Sequence, residues 1–454
     1  MTTQPIQPAQ PIQPTAKALA LVLTLVGLFE GVRATVAQIL AFQYPLDMVI
    51  YREGVRAFLE GRAMYSEPMP AGDIALPFIY PPFGALVMVP LSGQGLSHDA
   101  AGNIMIALSN LLLFLCLWLI VRALSAPLGT QAWYTHFSRQ WVWAAAALAW
   151  GVVCNIEPVR LNNSFAQINM VIMALVVLDL VPRKRTLPQG WLIGVAAAIK
   201  LSPLAMLLYF LLRKDFKAIV TAGVSAVIAT AIAALVRWDA TWEFFSVKLL
   251  SMGGGGEIGV NTSYQSNSSI KAVIQRAFGS QEALDASSTL VNALWLVLAL
   301  VTIAAGSWLM LRLIRQDLHI EAWLVGSMVM LLISPISWSH HWVWLALILP
   351  VFLYRAYQWR PYTSWANVLL GVLVVWLVLV LAVPPKWWFG DSIDIFAKAF
   401  WVKFLVSDFV WFAAATFALL GVCLSKLPAP PAPPAPPAPS ALPTPPAPKQ
   451  SSAS

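Results

Sequence analysis

Residues 18–65 read ALALVLTLVGLFEGVRATVAQILAFQYPLDMVIYREGVRAFLEGRAMY, and the change of character at Tyr44 decides how the rest of the chain is read. Residues 18–42 are mostly apolar and outrun the roughly 20 residues that a helix needs to cross a bilayer core. Residues 44–65 then alternate bases and acids: Asp47, Arg52, Glu53, Arg56, Glu60 and Arg62. Charge is scarce elsewhere. Of 454 residues, 11% are charged and 59% hydrophobic, where soluble proteins carry roughly 25% charged residues. At helical spacing Val49, Val55, Phe58 and Leu59 fall on one face and Arg52, Glu53, Arg56 and Glu60 on the other. That pattern predicts a helix lying along the membrane surface, with Asp47 at the mouth of a membrane-embedded cavity. A solvated connecting helix without chemistry is the plainer alternative.

Upstream, residues 1–17 repeat Gln-Pro units and read as a disordered lead. No small-residue cleavage pattern follows, so the first apolar run is expected to stay in place. Downstream, a second run begins at Leu76, and others cover residues 101–124, 141–154, 165–181, 191–212, 219–236, 290–313, 322–333, 342–354, 368–383 and 404–424. The fold class is therefore an all-α polytopic membrane protein, with about 11 to 13 transmembrane helices expected in a domain spanning residues 18–426. Tyr80-Pro81-Pro82 predicts an extended entry followed by a helix start. Residues 427–454 contain 12 prolines and read as a semi-rigid tail on the cytoplasmic side. Cys116, Cys154 and Cys423 sit in separate apolar runs without paired spacing, which indicates neither a disulfide framework nor a zinc site.

The net charge of +8 belongs to basic loops facing the cytoplasm. No basic patch interleaved with aromatics marks a nucleic-acid partner. Arg213, Lys214 and Lys217, then Arg312 and Arg315, then Lys426 set the cytoplasmic side. Asp47, residues 237–289 and the turn around His340 then share the opposite, extracytoplasmic face. Arg183-Lys184-Arg185 conflicts with this count if every run crosses once. A re-entrant pair removes the conflict, with residues 191–212 broken at Ser202-Pro203 as the candidate.

Ionisable groups inside apolar runs are costly and so mark function. Asp47 is followed by Tyr51 and Arg52. Residues 155–169, NIEPVRLNNSFAQIN, crowd Glu157, Arg160, Asn163, Gln167 and Asn169 between two runs, as an ordinary hydrophilic turn also would. Lys200 lies deep in an apolar stretch, where snorkelling or an anionic ligand explains it. Residues 334–344, SPISWSHHWVW, place His340 and His341 on different faces of a helix with no carboxylate nearby, a poor metal site. One of them is expected to bind phosphate or sugar hydroxyls, and the other to face the interface with the tryptophans. Residues 237–289 add the glycine run Gly253 to Gly256 and the sugar-compatible Tyr264, Gln265 and Asn267.

Taken in order, YPLDMVIYREG, LPFIYPPFGAL, EPVRLNNSFAQINMVIMAL, AAAIKLSPL and PISWSHHWVW resemble the motifs of glycosyltransferase family 87, the actinobacterial polyprenol-phosphate-sugar transferases of the GT-C superfamily. The resemblance covers residues 44–344. It implies a GT-C type fold with an extracytoplasmic catalytic face in the cell membrane. It also implies transfer of mannose, or in some members arabinofuranose, from a polyprenyl-phosphate sugar donor to a glycolipid or lipoglycan acceptor, without cofactor or metal. Asp47 would be the general base of a single inverting displacement. Lys200, Arg160, His340 and His341 would meet the donor phosphate. Tyr51, Arg52, Tyr80, Asn163, Gln167, Asn169, Tyr264 and Asn267 would meet acceptor or sugar. One departure is Ala166, where the pattern expects glycine before Gln167-Ile168-Asn169. The competing class, a transporter of lipid-linked sugar, would carry internal repeats, and none is evident. A noncatalytic scaffold in envelope assembly has only the Pro-rich tail in its favour.

Overall fold

The computed structural model describes residues 14–41, 44–125, 139–182, 184–250 and 261–428. Most of the Gln-Pro lead, Gly253 to Gly256, Arg183 and the tail after residue 428 lie outside the described residues. Apart from the short helices Trp238–Glu243, Ile270–Arg276, Gln281–Ala286 and Phe400–Val406, the α-helices in chain order are α1 (Pro14–Leu40), α2 (Leu46–Glu60), α3 (Pro82–Met88), α4 (His98–Leu124), α5 (Arg139–Val153), α6 (Glu157–Ser164), α7 (Asn169–Leu180), α8 (Trp191–Ile199), α9 (Leu207–Leu212) and α10 (Phe216–Val236). Then come α11 (Ser288–Arg315), α12 (His319–Ile333), α13 (Leu345–Trp359), α14 (Trp365–Leu381) and α15 (Asp408–Lys426). Two short strands, β1 (Met69–Ala71) and β2 (Ile74–Leu76), pair as a hairpin after α2.

Among the described residues six helices are long and apolar enough to cross a membrane, α1, α4, α10, α11, α14 and α15, or seven if α5 and α6, bent by 67°, count as one. Rows of large apolar side chains stand exposed along α1, α10 and α11, among them Leu25, Phe29, Val227, Leu235, Val297 and Leu300. Patches of that extent belong against lipid. The chain is a membrane protein.

Six of the remaining helices, α5, α7, α8, α9, α12 and α13, form three hairpins with limbs of 6 to 15 residues. At about 1.5 Å per residue each limb is shorter than the roughly 30 Å bilayer core. In the hairpin of residues 191–212, α8 starts with Gly190 packed on Ala218 at the foot of α10, and α9 returns to Arg213, just before α10. The Asp179 carboxylate at the end of α7 accepts the N–H groups of Gly190 (2.8 Å) and Ile193 (3.0 Å), so the α5–α7 hairpin opens at the same end. Tyr209 on α9 bonds His319 at the start of α12 (3.0 Å). Glu321 near that start meets Arg355 near the end of α13 (2.5 Å), both 1% exposed, which closes the third hairpin. Arg185, Arg213 and Lys214 therefore gather at the open end, and the three tips point to the other. This removes the conflict posed by the 183–185 cluster. The run 191–212 re-enters as expected, but the break comes earlier than Ser202-Pro203: Lys200 is extended (φ −150°, ψ 129°) and Ser202–Met206 is a 3-10 turn.

Small residues let the limbs dock. A Cβ at Gly194 would stand 1.9 Å from Ser225 Oγ and 2.1 Å from Ala222 O on α10. Gly27 and Gly31 of α1 meet Ala147 and Trp150 of α5 in the same way. Close approach of backbones is what drives helix association where the solvent is as apolar as the side chains.

The helix expected after Asp47 is α2, but its faces differ from the expectation at two positions. Leu59 is exposed, and Arg52 is buried. The Arg52 guanidinium donates to the carbonyls of Leu91 (2.6 Å), Gly93 (3.3 Å), Leu96 (2.5 Å) and Ser97 (3.3 Å), so its charge is spread over a loop. Pro81 is extended (φ −54°, ψ 153°) and Pro82 opens α3, as the proline pair predicts.

Candidate active site

The tips of the three hairpins, the start of α2, residues 76–81, the segment Asn261 to Ser266 and Trp387 enclose a cavity of about 1160 Å³. Asp47 enters it from the first turn of α2, directly after Pro45, where a carboxylate also benefits from the helix dipole. Its Oδ2 accepts a hydrogen bond from Gln167 Nε2, and its Oδ1 has no hydrogen bond among the described residues. The orientation of the Gln167 amide follows from its other partners. Tyr51 donates its hydroxyl to Gln167 Oε1 (2.6 Å), Tyr80 lies 3.2 Å from the same oxygen, and the two hydroxyls are 2.8 Å apart. Burial pushes both phenols well above their ordinary range, so they stay protonated and donate. With its oxygen taken by phenols, the amide must turn its N–H groups to Asp47.

Gln167 owes its place to the end of α6. Ala166 N–H bonds Asn163 O (3.0 Å) and Gln167 N–H bonds Asn162 O (2.9 Å), the paired closure of a Schellman turn. Ala166 sits at φ 52°, a conformation that favours glycine. The departure from glycine at this position is thus a strained alanine holding the same turn.

The cationic side is built from the other tips. Lys200 Nζ donates to Asn169 Oδ1 (2.9 Å), lies 3.4 Å from His341 Nε2 and stands 5.3 Å over the Tyr80 ring. A lysine can only donate, so His341 Nε2 accepts. His340 Nε2 lies 3.4 Å from Gln167 Nε2, and the two histidine rings meet edge to face at 4.7 Å. Burial pushes the Asp47 carboxyl up to about 6, against the opposing effects of the Gln167 hydrogen bond and the Lys200 charge.

Of the residues singled out from sequence, Asp47, Tyr51, Tyr80, Arg160, Gln167, Lys200, Tyr264, His340 and His341 line the cavity. Arg52, Asn163, Asn169 and Asn267 do not. Arg52 is turned to the loop carbonyls described above. Asn163 donates to Gln38 (2.7 Å) and Asn110 (3.0 Å) behind the α6 turn. Asn169 reaches the site only through Lys200 and the His340 carbonyl (3.2 Å). Asn267 donates to Thr262 O (2.8 Å) and accepts from Ser337 N (2.9 Å), pinning one loop to another. Sequence reasoning gave no role to Glu157, whose Oε2 accepts from Ser339 Oγ (2.7 Å) and Oε1 from Trp387 Nε1 (2.8 Å). It also passed over Trp338, Trp387, Asn261, Ser266 and Asp391, which line the same cavity. Trp387 lies past the last motif used, and no local signal separated it from an interfacial tryptophan.

One side of the cavity thus holds a carboxylate with an unengaged oxygen, able to take a proton from a hydroxyl, and beside it an ammonium able to neutralise an anion. The family model of glycosyltransferase family 87 matches residues 78–335. A polyprenol-phosphate-mannose-dependent alpha-(1-2)-phosphatidylinositol mannoside mannosyltransferase of Mycolicibacterium smegmatis is 30% identical over 84% of this chain and 85% of its own length. The protein of the same description from Mycobacterium tuberculosis is 30% identical over 85% and 87%. A polyprenol-phosphate-mannose-dependent alpha-(1-2)-phosphatidylinositol pentamannoside mannosyltransferase of M. tuberculosis is 29% identical over 72% and 70%. Among solved structures, ArnT from Cupriavidus metallidurans bound to undecaprenyl phosphate matches 90% of this chain and 76% of its own at 16% identity, with a TM-score of 0.32. At that score the likeness carries no weight for fold or ligand.

Proposed function

We infer the reaction from a premise the comparisons supply: the chain belongs to glycosyltransferase family 87. It is a membrane mannosyltransferase that takes mannose from a polyprenyl-phosphate mannose donor. The acceptor is an extracytoplasmic mannolipid of the phosphatidylinositol mannoside or lipoglycan class. Mannose is favoured over arabinofuranose because the relatives named above are mannosyltransferases.

The observation that carries the mechanism is the contrast among the carboxylates that line the cavity, of which Asp391 is exposed to solvent. Glu157 has both oxygens engaged, whereas Asp47 keeps Oδ1 unengaged among the described residues. Asp47 is the general base. As the acceptor oxygen attacks the anomeric carbon, its proton passes to Asp47 Oδ1, and the bond from that carbon to the phosphate oxygen breaks. Polyprenyl phosphate leaves with the electron pair. A single displacement inverts the anomeric centre, so an α product requires a β-linked donor. Lys200 and Arg160 supply the positive charge that stabilises the leaving phosphate, while His341, accepting from Lys200 and packed against His340, positions that ammonium. Gln167, held by Tyr51 and Tyr80, orients the base.

A GT-C type arrangement with the cavity outside the cytoplasm fits this reading. The six long helices are an even number, and hairpins return to the side they start from, which leaves α1's start and Lys426 on one side. Lys and Arg dominate that side. The test offers labelled polyprenyl-phosphate mannose and polyprenyl-phosphate arabinofuranose in parallel to the purified protein in lipid, with a phosphatidylinositol mannoside as acceptor. Mannose transfer is expected. Transfer of arabinofuranose alone, or of neither sugar, would refute the reading.

A further inference from the structure

We propose that Tyr264, Trp338 and Trp387 form a stacking subsite for the terminal mannose of the acceptor. This rests on the mannosyltransferase reading. The Tyr264 ring lies 6.2 Å from Trp338 and 6.3 Å from Trp387, and all three line the cavity. Around them stand Glu157, Asn261 and Ser266. Aromatic faces edged by hydrogen-bonding groups suit a sugar ring, which presents C–H bonds on its faces and hydroxyls at its rim. A chain of contacts links this wall to the base: Gln167 touches Asp47 and His340, and Ser339, next in chain to His340, bonds the Glu157 that holds Trp387.

The wall is built to stay in place. The buried Arg276 guanidinium donates to Ser263 O (3.1 Å), Tyr264 O (2.8 Å) and Ser407 Oγ (3.0 Å). Lys386, fully buried beside Trp387, donates to Ser268 Oγ (2.6 Å) and pairs with Asp408 (3.1 Å). Two cations and the carboxylates of Glu157 and Asp408 balance in charge, and buried charges are tolerated when paired and hydrogen-bonded. An interfacial belt of tryptophans needs no such fixing from beneath.

The experiment titrates the purified full chain with methyl α-mannopyranoside by ligand-observed NMR, with methyl β-galactopyranoside as control, and measures the KM of acceptor and donor separately. Trp387→Leu is expected to weaken mannoside binding and raise acceptor KM about tenfold, with donor KM within about twofold. Trp387→Phe keeps a ring but loses the Glu157 hydrogen bond, and is expected to fall between. Unchanged mannoside binding in Trp387→Leu, or an equal rise in donor KM, would overturn the subsite while leaving mannosyl transfer standing. A wild-type chain that binds the mannoside through Trp387 but transfers no mannose would uphold the subsite and refute the reaction.

Discussion

Asp47 is the residue on which chemistry and stability pull in opposite directions. Its carboxyl titrates at about 6, raised from 3.8 by burial. As the proposed base it works only when ionised, so turnover should climb through pH 6, from about a tenth of its plateau at pH 5 to about nine tenths at pH 7. Asp47→Asn should lose roughly 10² to 10⁴ in rate, and any residual activity should lack this limb. The stability sign is the reverse. A group that binds its proton more tightly folded than unfolded contributes stability in full below pH 3.8, and that stability is lost as pH rises to 6. Asp47→Asn should therefore melt higher at pH 7, by on the order of 3 kcal/mol at most, while being inactive; a variant less stable than wild type would contradict the assignment. Lys200→Met removes the charge that holds this carboxyl down, so the midpoint of the pH profile should move above 6. The place of Asp47 in the cavity was legible in the sequence because an acid next to an apolar run is conspicuous. Arg52, five residues on, misled for the same reason. Its partners are backbone carbonyls of residues 91–97, which no side-chain pattern records.

Among the elements, the long apolar helices and the proline-led start of α3 could be read directly, whereas the hairpins could not. Hydropathy measures how apolar a run is, and a limb of 6 to 15 residues enclosed by other helices is as apolar as a full crossing. Depth depends on what each limb meets, and here the informative residues are glycines. Gly194→Leu should prevent α8 from docking on α10, since even a Cβ would collide with Ala222 O and Ser225 Oγ. A sharp drop in folded, detergent-extractable protein is expected. Gly223→Leu on α10 meets nothing within 4 Å and serves as the control; equal behaviour of the two variants would sink the packing account. At the α6 turn, Ala166 occupies φ 52° at a cost of roughly 1–2 kcal/mol. Ala166→Gly should keep activity. Ala166→Val, β-branched at positive φ, should displace Gln167 and depress kcat with little change in acceptor KM.

For the whole molecule, the decisive fact is that all three hairpins open at one end and point their tips at one cavity. The open end carries Arg185, Arg213, Lys214 and Lys217, and α11 and α15, which run side by side in the same direction, deliver Arg315 and Lys426 there as well. The cavity end carries β1 and β2, Asp47 and the aromatic wall. Basic residues in short loops stay in the cytoplasm; under the proposed reading the cavity therefore lies outside, where a lipid-linked sugar donor replaces a nucleotide sugar. The three native cysteines are buried, so single introduced cysteines report without interference from a reactive background. Asp73, at the exposed turn between β1 and β2, and Lys214, exposed after α9, lie at opposite ends. In intact cells a membrane-impermeant maleimide should label Asp73→Cys and leave Lys214→Cys untouched until the membrane is permeabilised. The opposite pattern would put the cavity in the cytoplasm and remove the extracytoplasmic acceptor from the proposal, while the base, the cationic site and the hairpins would stand as described.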